Sequence, residues 1–258
     1  MTKSSPFLFS ACLFAASLAH NHGATGFTTV VPTTTTAAAA ARSQGITRKQ
    51  ARVLPQLNAV HIDGYNDAFQ IIDECAVSGV SSEELYDAVR FIDKNALSIY
   101  PSLDQKQALW DDAHGSWKLQ MATGGGKFKT FKPVPIFAFA VVDELNFGNG
   151  VGINSDTLFL SLLGPHFFNP KRRQMVITVD DMFLFASKVS KFVPDFMKTG
   201  MGMGKRPEDF PKGSRPPAFT FIGVSDKALI ARGGSGGIAI WTRLPKDIRP
   251  AAYGTKQS

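Results

Sequence analysis

Between Gly115 and Leu244 no stretch goes far without a turn signal, and that punctuation limits the fold more than any other feature of the chain. Trp117, Leu119 and Met121 alternate with Lys118, Gln120 and Ala122, which is the period of a half-buried strand. Further strand-like pieces lie at 127–131, 136–147, 157–162, 174–179, 183–186, 218–224, 227–231 and 238–244. GGG at 124–126, FGNG at 147–150, NPKRR at 169–173 and VSD at 224–226 read as turns between them. A doubly wound parallel sheet needs crossover helices, and this half of the chain offers none that is long. The expected fold is therefore α+β and mainly β, an antiparallel sheet closed into a barrel so that its edges are hidden.

Ahead of the strands the period is helical. Phe69, Ile72 and Ala76 share one face of a helix that Gly79 ends, and Ser81 with Glu84 spells a capping box before Leu85, Val89 and Ile92. A third short helix is expected over 103–110. The outer faces of the first two are acidic, with Asp63, Asp67, Asp73, Glu74, Glu83, Glu84, Asp87 and Asp93 against Arg90 and Lys94. Such a surface suits a basic protein partner, although plain solvation is the commoner reason for an acidic helix face.

No Asp or Glu occurs from Met1 to Ile62. Lys3 and the apolar run 6–19 read as a signal peptide over 1–26, and the hydroxyl-rich, Ala-rich, basic stretch 27–52 has the composition of an organelle transit segment. Together they resemble the bipartite presequences of algae with secondary red plastids, whose transit part opens on an aromatic residue, here Phe27. A secreted protein with a Thr/Ala linker would share that composition. The remaining organisation is a helical element over 53–112, a barrel over 113–248 carrying a long basic loop at 198–217, and a tail at 249–258. With Cys12 in the signal, Cys75 has no disulfide partner.

Several patterns suggest chemistry and lack the context it needs. Gly233, Ser235 and Gly237 spell G-x-S-x-G, but a nucleophile elbow requires a following helix and a downstream His; IAIWTRL follows instead, and no His lies beyond His166. TGMGMGKR at 199–206 has Thr199 where a P-loop has its first Gly and Arg206 where the magnesium-binding hydroxyl belongs. The His residues lack helical pairing with carboxylates, so no metal site and no cofactor are expected. The net charge is +7, with basic residues concentrated in the C-terminal third. They scatter over loops without an RNA-binding aromatic signature, which points away from nucleic acid and toward an anionic membrane surface.

Two segments, HGSWKLQMATGG at 114–125 and ALIARGGSGGIAIWTRL at 228–244, resemble the plastid lipid-associated proteins, or fibrillins. Family members open the barrel with G-x-W-x-L, here Gly115, Trp117 and Leu119, and end it with an Arg-Gly, Gly-rich, strand, Arg segment, here Arg232, Gly233 and Arg243. Departures are Gln120-Met121 in the first strand and the insertion at 198–217. The resemblance implies a lipocalin-like barrel, mostly non-catalytic, that binds apolar lipids, carotenoids or prenylquinones at thylakoids or plastoglobules. The alternatives are a lipid- or quinone-modifying enzyme using Ser235 and a docking scaffold using the acidic helices.

In lipocalin-type barrels a first-strand Trp closes one end beneath an Arg of the last strand, which nominates Trp117 with Arg243, or else Arg232. Interior candidates for an apolar ligand are Trp117, Leu119, Met121, Phe137, Phe139, Val141, Phe159, Phe183, Phe219 and Phe221. The alternate residues of 136–147 are also apolar, so phase alone leaves its inner face open. Met201, Met203, Lys205, Arg206 and Phe210 are expected to touch the membrane.

Overall fold

The computed structural model describes residues 64–124, 129–185, 187–210 and 216–245, with the side chains of 199–201 excepted. The expected signal, transit segment and tail, the start of the helical element, the Met201 side chain, and parts of the GGG turn and basic loop lie outside the described residues.

Three helices precede the sheet: α1 (Tyr65–Ser78), α2 (Leu85–Ile99) and α3 (Leu103–Asp112). Gly79 ends α1 in the left-handed region, φ 72°, its N–H donating to Cys75 O at 2.9 Å. The box expected at Ser81 and Glu84 does not form. It would require residue 82 to be helical, whereas α2 starts at Leu85, Glu84 has no side-chain cap bond, and 80–84 turn the chain. The capping box is at α3, where Ser102 Oγ accepts from Gln105 N and Gln105 Oε1 accepts from Ser102 N, both at 3.1 Å.

The strands are β1 (Gly115–Ala122), β2 (Lys132–Pro133), β3 (Phe137–Val142), β4 (Asn146–Gly152), β5 (Leu158–Asn169), β6 (Gln174–Ile177), β7 (Asp181–Leu184), β8 (Ser187–Lys188), β9 (Ala218–Val224), β10 (Ala228–Gly233) and β11 (Ile238–Arg243). Every ladder between them is antiparallel. Eight strands close in the order β4-β3-β1-β11-β10-β9-β6-β5, and β5 returns to pair with β4. The protein is thus a closed eight-stranded antiparallel barrel with helices before it.

Two expected features change places at the β3–β4 hairpin. The expected single strand 136–147 is two strands, and FGNG is the body of β4, not a turn. The reversal occurs at Asp143, whose Oδ1 accepts from Leu145 N at 2.9 Å and Asn146 N at 2.6 Å. Gly150 serves close packing: a Cβ there would lie 2.5 Å from Leu160 O and 2.7 Å from a Phe139 ring carbon.

β6 and β7 run as one broken strand along β5. β6 continues round the barrel to β9, while β7 diverges and pairs only with β5 and β8 among the described residues. Gly164 allows the break, since a Cβ there would meet Thr178 O at 2.2 Å. A strap comprising a 3-10 turn (Ser190–Phe192) and α4 (Asp195–Met201) packs beside β5 and β7. Val193, Met197 and Met203 join Leu162, Val179 and Met182 in a small core there.

Pairing phase divides the apolar residues into an inner and an outer set. Trp117, Leu119, Ala138, Ala140, Val142, Met175, Phe219, Phe221 and Ala231 fill the bore together with Leu109 and Trp110 of α3. On the outside, α1 and α2 lay Ile72, Ala76, Leu85, Val89 and Ile92 on Ile222, Ile230 and Ile240. Burying each Val, Leu or Ile side chain of this set contributes about 1.5–3 kcal/mol. The hairpin is therefore an integral wall covering.

Candidate functional site: the bore and its two ends

One end of the bore is plugged by α3 and the start of β1. Trp117, fully buried, donates from Nε1 to Ala113 O at 2.8 Å. Arg243 sits opposite it in the β1–β11 register, its Cζ 4.0 Å from the indole centroid. Four backbone carbonyls fasten that guanidinium: His114 O and Asp226 O at 3.0 Å, Asp112 O at 2.8 Å and Ser225 O at 3.4 Å. The Arg thus ties α3, the start of β1 and the β9–β10 turn across the closed end. Arg232, the alternative partner, points to the outer face and pairs with Asp93.

Beside this plug Trp110 stacks on Phe168, centroids 4.6 Å apart, and meets the His114 and His166 rings edge-on at 4.8 Å each. His166 Nε2 donates to Asp143 O at 2.7 Å, so the ring carries a proton on Nε2. Burial holds this imidazole below its ordinary pKa, and the Asp143 carbonyl only partly offsets that. His114 Nε2 and His166 Nδ1 are buried without hydrogen-bond partners. No cluster of three metal-ligating side chains exists among the described residues.

The middle of the bore is apolar and nearly full. A void of about 10 Å³ remains, lined by residues including Ala140, Ala231, Phe147, Met175, Phe219 and Trp241. That is at most the space of one water molecule, and the apolar lining gives a water no partner.

Of the residues nominated for the interior, Trp117, Leu119, Phe219 and Phe221 face the bore. The others do not. A bulge between Leu119 and Met121 turns Met121 outward beneath the helices, opposite Ile240. Phe137, Phe139 and Val141 lie on the outer face of β3 with Leu158, Leu163 and Phe183, because Ala138, Ala140 and Val142 take the inner phase. Phe159 is exposed and meets Phe185 with ring centroids 5.9 Å apart. The sequence nominated the bulky set; the small alanines face in because α3 and Trp117 already occupy that volume.

The nominated membrane-contact residues are mostly folded back. Met203 joins the strap core, Phe210 lies over Gly202 with Lys205 Nζ 6.0 Å from its ring, and Arg206 reaches Asp180 at 3.6 Å. The most exposed aromatic side chains among the described residues are instead Phe185, Phe192 and Phe196, exposed by 71, 83 and 73%. Phe185 also has φ 46°, a conformation costly for a bulky side chain, at the tip of the β7–β8 hairpin. A Phe-rich run without polar alternation at 183–196 was the available signal.

Ser235 occupies a strand–turn–strand, closed by Gly236 N donating to Gly233 O and Gly233 N to Gly237 O, both 2.9 Å. His114 lies at the far end of the adjacent strands, beside Arg243. Of the acidic helix residues, Asp73 accepts from Ser225 Oγ at 2.5 Å and Asp93 from Arg232, so both face the barrel. Asp67, Glu74, Glu83 and Asp87 remain exposed.

No family model matches this sequence, and no curated protein matches it. Among solved structures, a lipocalin-like protein from Bacteroides uniformis is 14% identical, with 52% of this chain and 99% of that one covered and a TM-score of 0.32. An uncharacterized protein from Bacteroides eggerthii is 15% identical, with coverages of 51% and 98% and a TM-score of 0.33. Similarity at that level says nothing of ligand or activity.

Proposed function

We propose that this chain is a non-catalytic barrel protein of the plastid lipid-associated type, which admits an apolar lipid or isoprenoid to its bore while resting on a lipid surface. The supporting observation is the bore itself: a closed wall with alanines at Ala138, Ala140, Ala231 and Ala239, filled by side chains that do not take part in the ladder hydrogen bonds of the sheet. Met175, Phe147 and Phe219 are among the fillers that line the remaining space, and the strap from Val189 to Met203 packs beside β7 without belonging to the closed ring of strands. Loading requires the strap to lift and these fillers to change rotamer.

Ser235 sits in a hairpin turn, and of the described residues His114 lies at the far end of the adjacent strands, which supports a binding role over a hydrolytic one. Exposed Phe185, Phe192 and Phe196, with Lys188, Lys191 and Lys198 on the same excursion, suit insertion at a headgroup boundary. The acid-free stretch 1–62 accords with delivery to a plastid.

Trp241 lines the bore and reports on its occupancy. Titrating the protein with carotenoids, prenylquinones and galactolipids is expected to quench tryptophan fluorescence saturably, and Phe219→Ala to tighten binding by opening space. If neither protein takes up any apolar molecule, the bore is a structural core only.

A further inference from the structure

A second concavity lies outside the barrel, and its chemistry is opposite to that of the bore. It is a cleft of about 290 Å³ between α2 and the glycine-rich β10–β11 turn, lined by Tyr86, Arg90, Asp93, Thr123, Arg232 and Gly236 among others. Arg232 Nη2 donates to Asp93 Oδ2 at 2.5 Å, while Arg90 stands 3.8 Å from the same oxygen, beyond hydrogen-bond distance. Asp93 is the better buried partner, its side chain 15% exposed against 34% for Arg232 and 41% for Arg90. One carboxylate at the base therefore faces two guanidinium groups nearer the opening.

A third guanidinium, outside the cleft lining, lies near Asp93 and Arg232. Arg173 donates from Nη1 to Phe221 O at 3.0 Å. Burial lowers its pKa from the usual guanidinium range, Asp93 raises it and Arg232 lowers it, so Arg173 stays charged within reach of both side chains. Of the five donors on each guanidinium, Asp93 engages one on Arg232 and none of Arg90's at bonding distance. The geometry leaves donor-rich, positively charged edges around a space at the lower end of small-ligand pocket volumes.

We propose that this cleft binds a phosphate-type oxyanion, with Arg90 and Arg232 as its ligands and Asp93 as the carboxylate that competes with it for Arg232. Guanidinium edges match phosphate oxygens in paired hydrogen bonds, and Gly236, φ 87°, keeps the turn free of a side chain at the rim. The oxyanion belongs either to a soluble phosphate compound or to a lipid headgroup. The site does not depend on the bore being loaded.

Calorimetric titration with inorganic phosphate, at ionic strength held constant with sodium chloride, tests the site. Saturable binding is expected in the wild type. Arg90→Gln, which removes a half-exposed side chain and spares the helix packing, should weaken it about tenfold, the loss of roughly one charge-assisted hydrogen bond. Arg232→Gln should weaken it further, and Asp93→Asn should tighten it by removing the competing charge. Binding to phosphatidic acid vesicles that Arg90→Gln reduces, while phosphatidylcholine vesicles bind both proteins equally, assigns the oxyanion to a lipid. Free phosphate binding without that difference assigns a soluble compound. Absence of saturable phosphate binding in the wild type, or unchanged affinity in Arg90→Gln, overturns the proposal. Bore function is read separately, because Arg90→Gln should leave quenching of Trp241 by apolar ligands intact.

Discussion

Trp117 joins the barrel by burial, by its indole hydrogen bond to Ala113 O and by the overlying Arg243. Trp117→Ala is expected to destabilise the protein by about 3–5 kcal/mol, the range for losing a buried aromatic side chain. Arg243→Gln should lower the melting temperature less, because the indole keeps its apolar neighbours; an equal loss for the two variants would give the Arg the larger part in closing this end. His166 makes the pH dependence testable at the same scale. Burial holds its folded pKa below the ordinary 6.5, so the fold prefers neutral His166, and this contribution, complete above 6.5, is lost as pH falls below it. Denaturant melts of His166→Gln should decline less on acidification than wild type. The Trp117–Arg243 pairing was legible in G-x-W and the terminal Arg, since residues at opposite ends of the chain meet when first and last strands pair. The Trp110–His114–His166 cluster was not, because its members share no sequence period.

At the level of elements, the helical hairpin is held to the sheet by apolar packing and two polar ties, Asp73 with Ser225 and Arg232 with Asp93. Desolvation raises the Asp73 pKa above 3.8, more than its Ser225 hydrogen bond lowers it. The native state therefore keeps that proton to higher pH, and stability falls as pH rises from 3.8 through the folded value. Asp73→Asn keeps an oxygen to accept from Ser225 and should abolish that decline in chemical denaturation, leaving the protein at least as stable at neutral pH. Helix positions and the inner faces of α1 and α2 were readable from period and from Gly79. β3 shows where reading stopped: apolar residues on both phases leave the inward set to be chosen by what else fills the bore. The Leu119/Met121 bulge is likewise invisible to alternation, which assumes an unbroken ladder.

Across the whole molecule the barrel has a plugged end at Trp117 and an excursion beside β7 that carries three exposed phenylalanines. Replacing Phe185, Phe192 and Phe196 together by Ser should reduce flotation with anionic vesicles several-fold without changing the melting temperature, since none of the three is buried. A lowered melting temperature with unchanged flotation would make them packing residues instead. Fusing residues 1–52 to a fluorescent protein should direct it to the plastid of an alga with secondary red plastids; export to the medium would favour the secretory reading of that segment. By itself the sequence determined the class of elements, the helical cover, and an antiparallel barrel as the outcome, because turn residues and hydrophobic period act locally. Only the tertiary structure decided which face of each strand looks inward, how little space the bore retains, and that Arg90, Asp93 and Arg232 surround a cleft. Those properties depend on volumes and charges brought together by closure of the sheet, and no local pattern carries them.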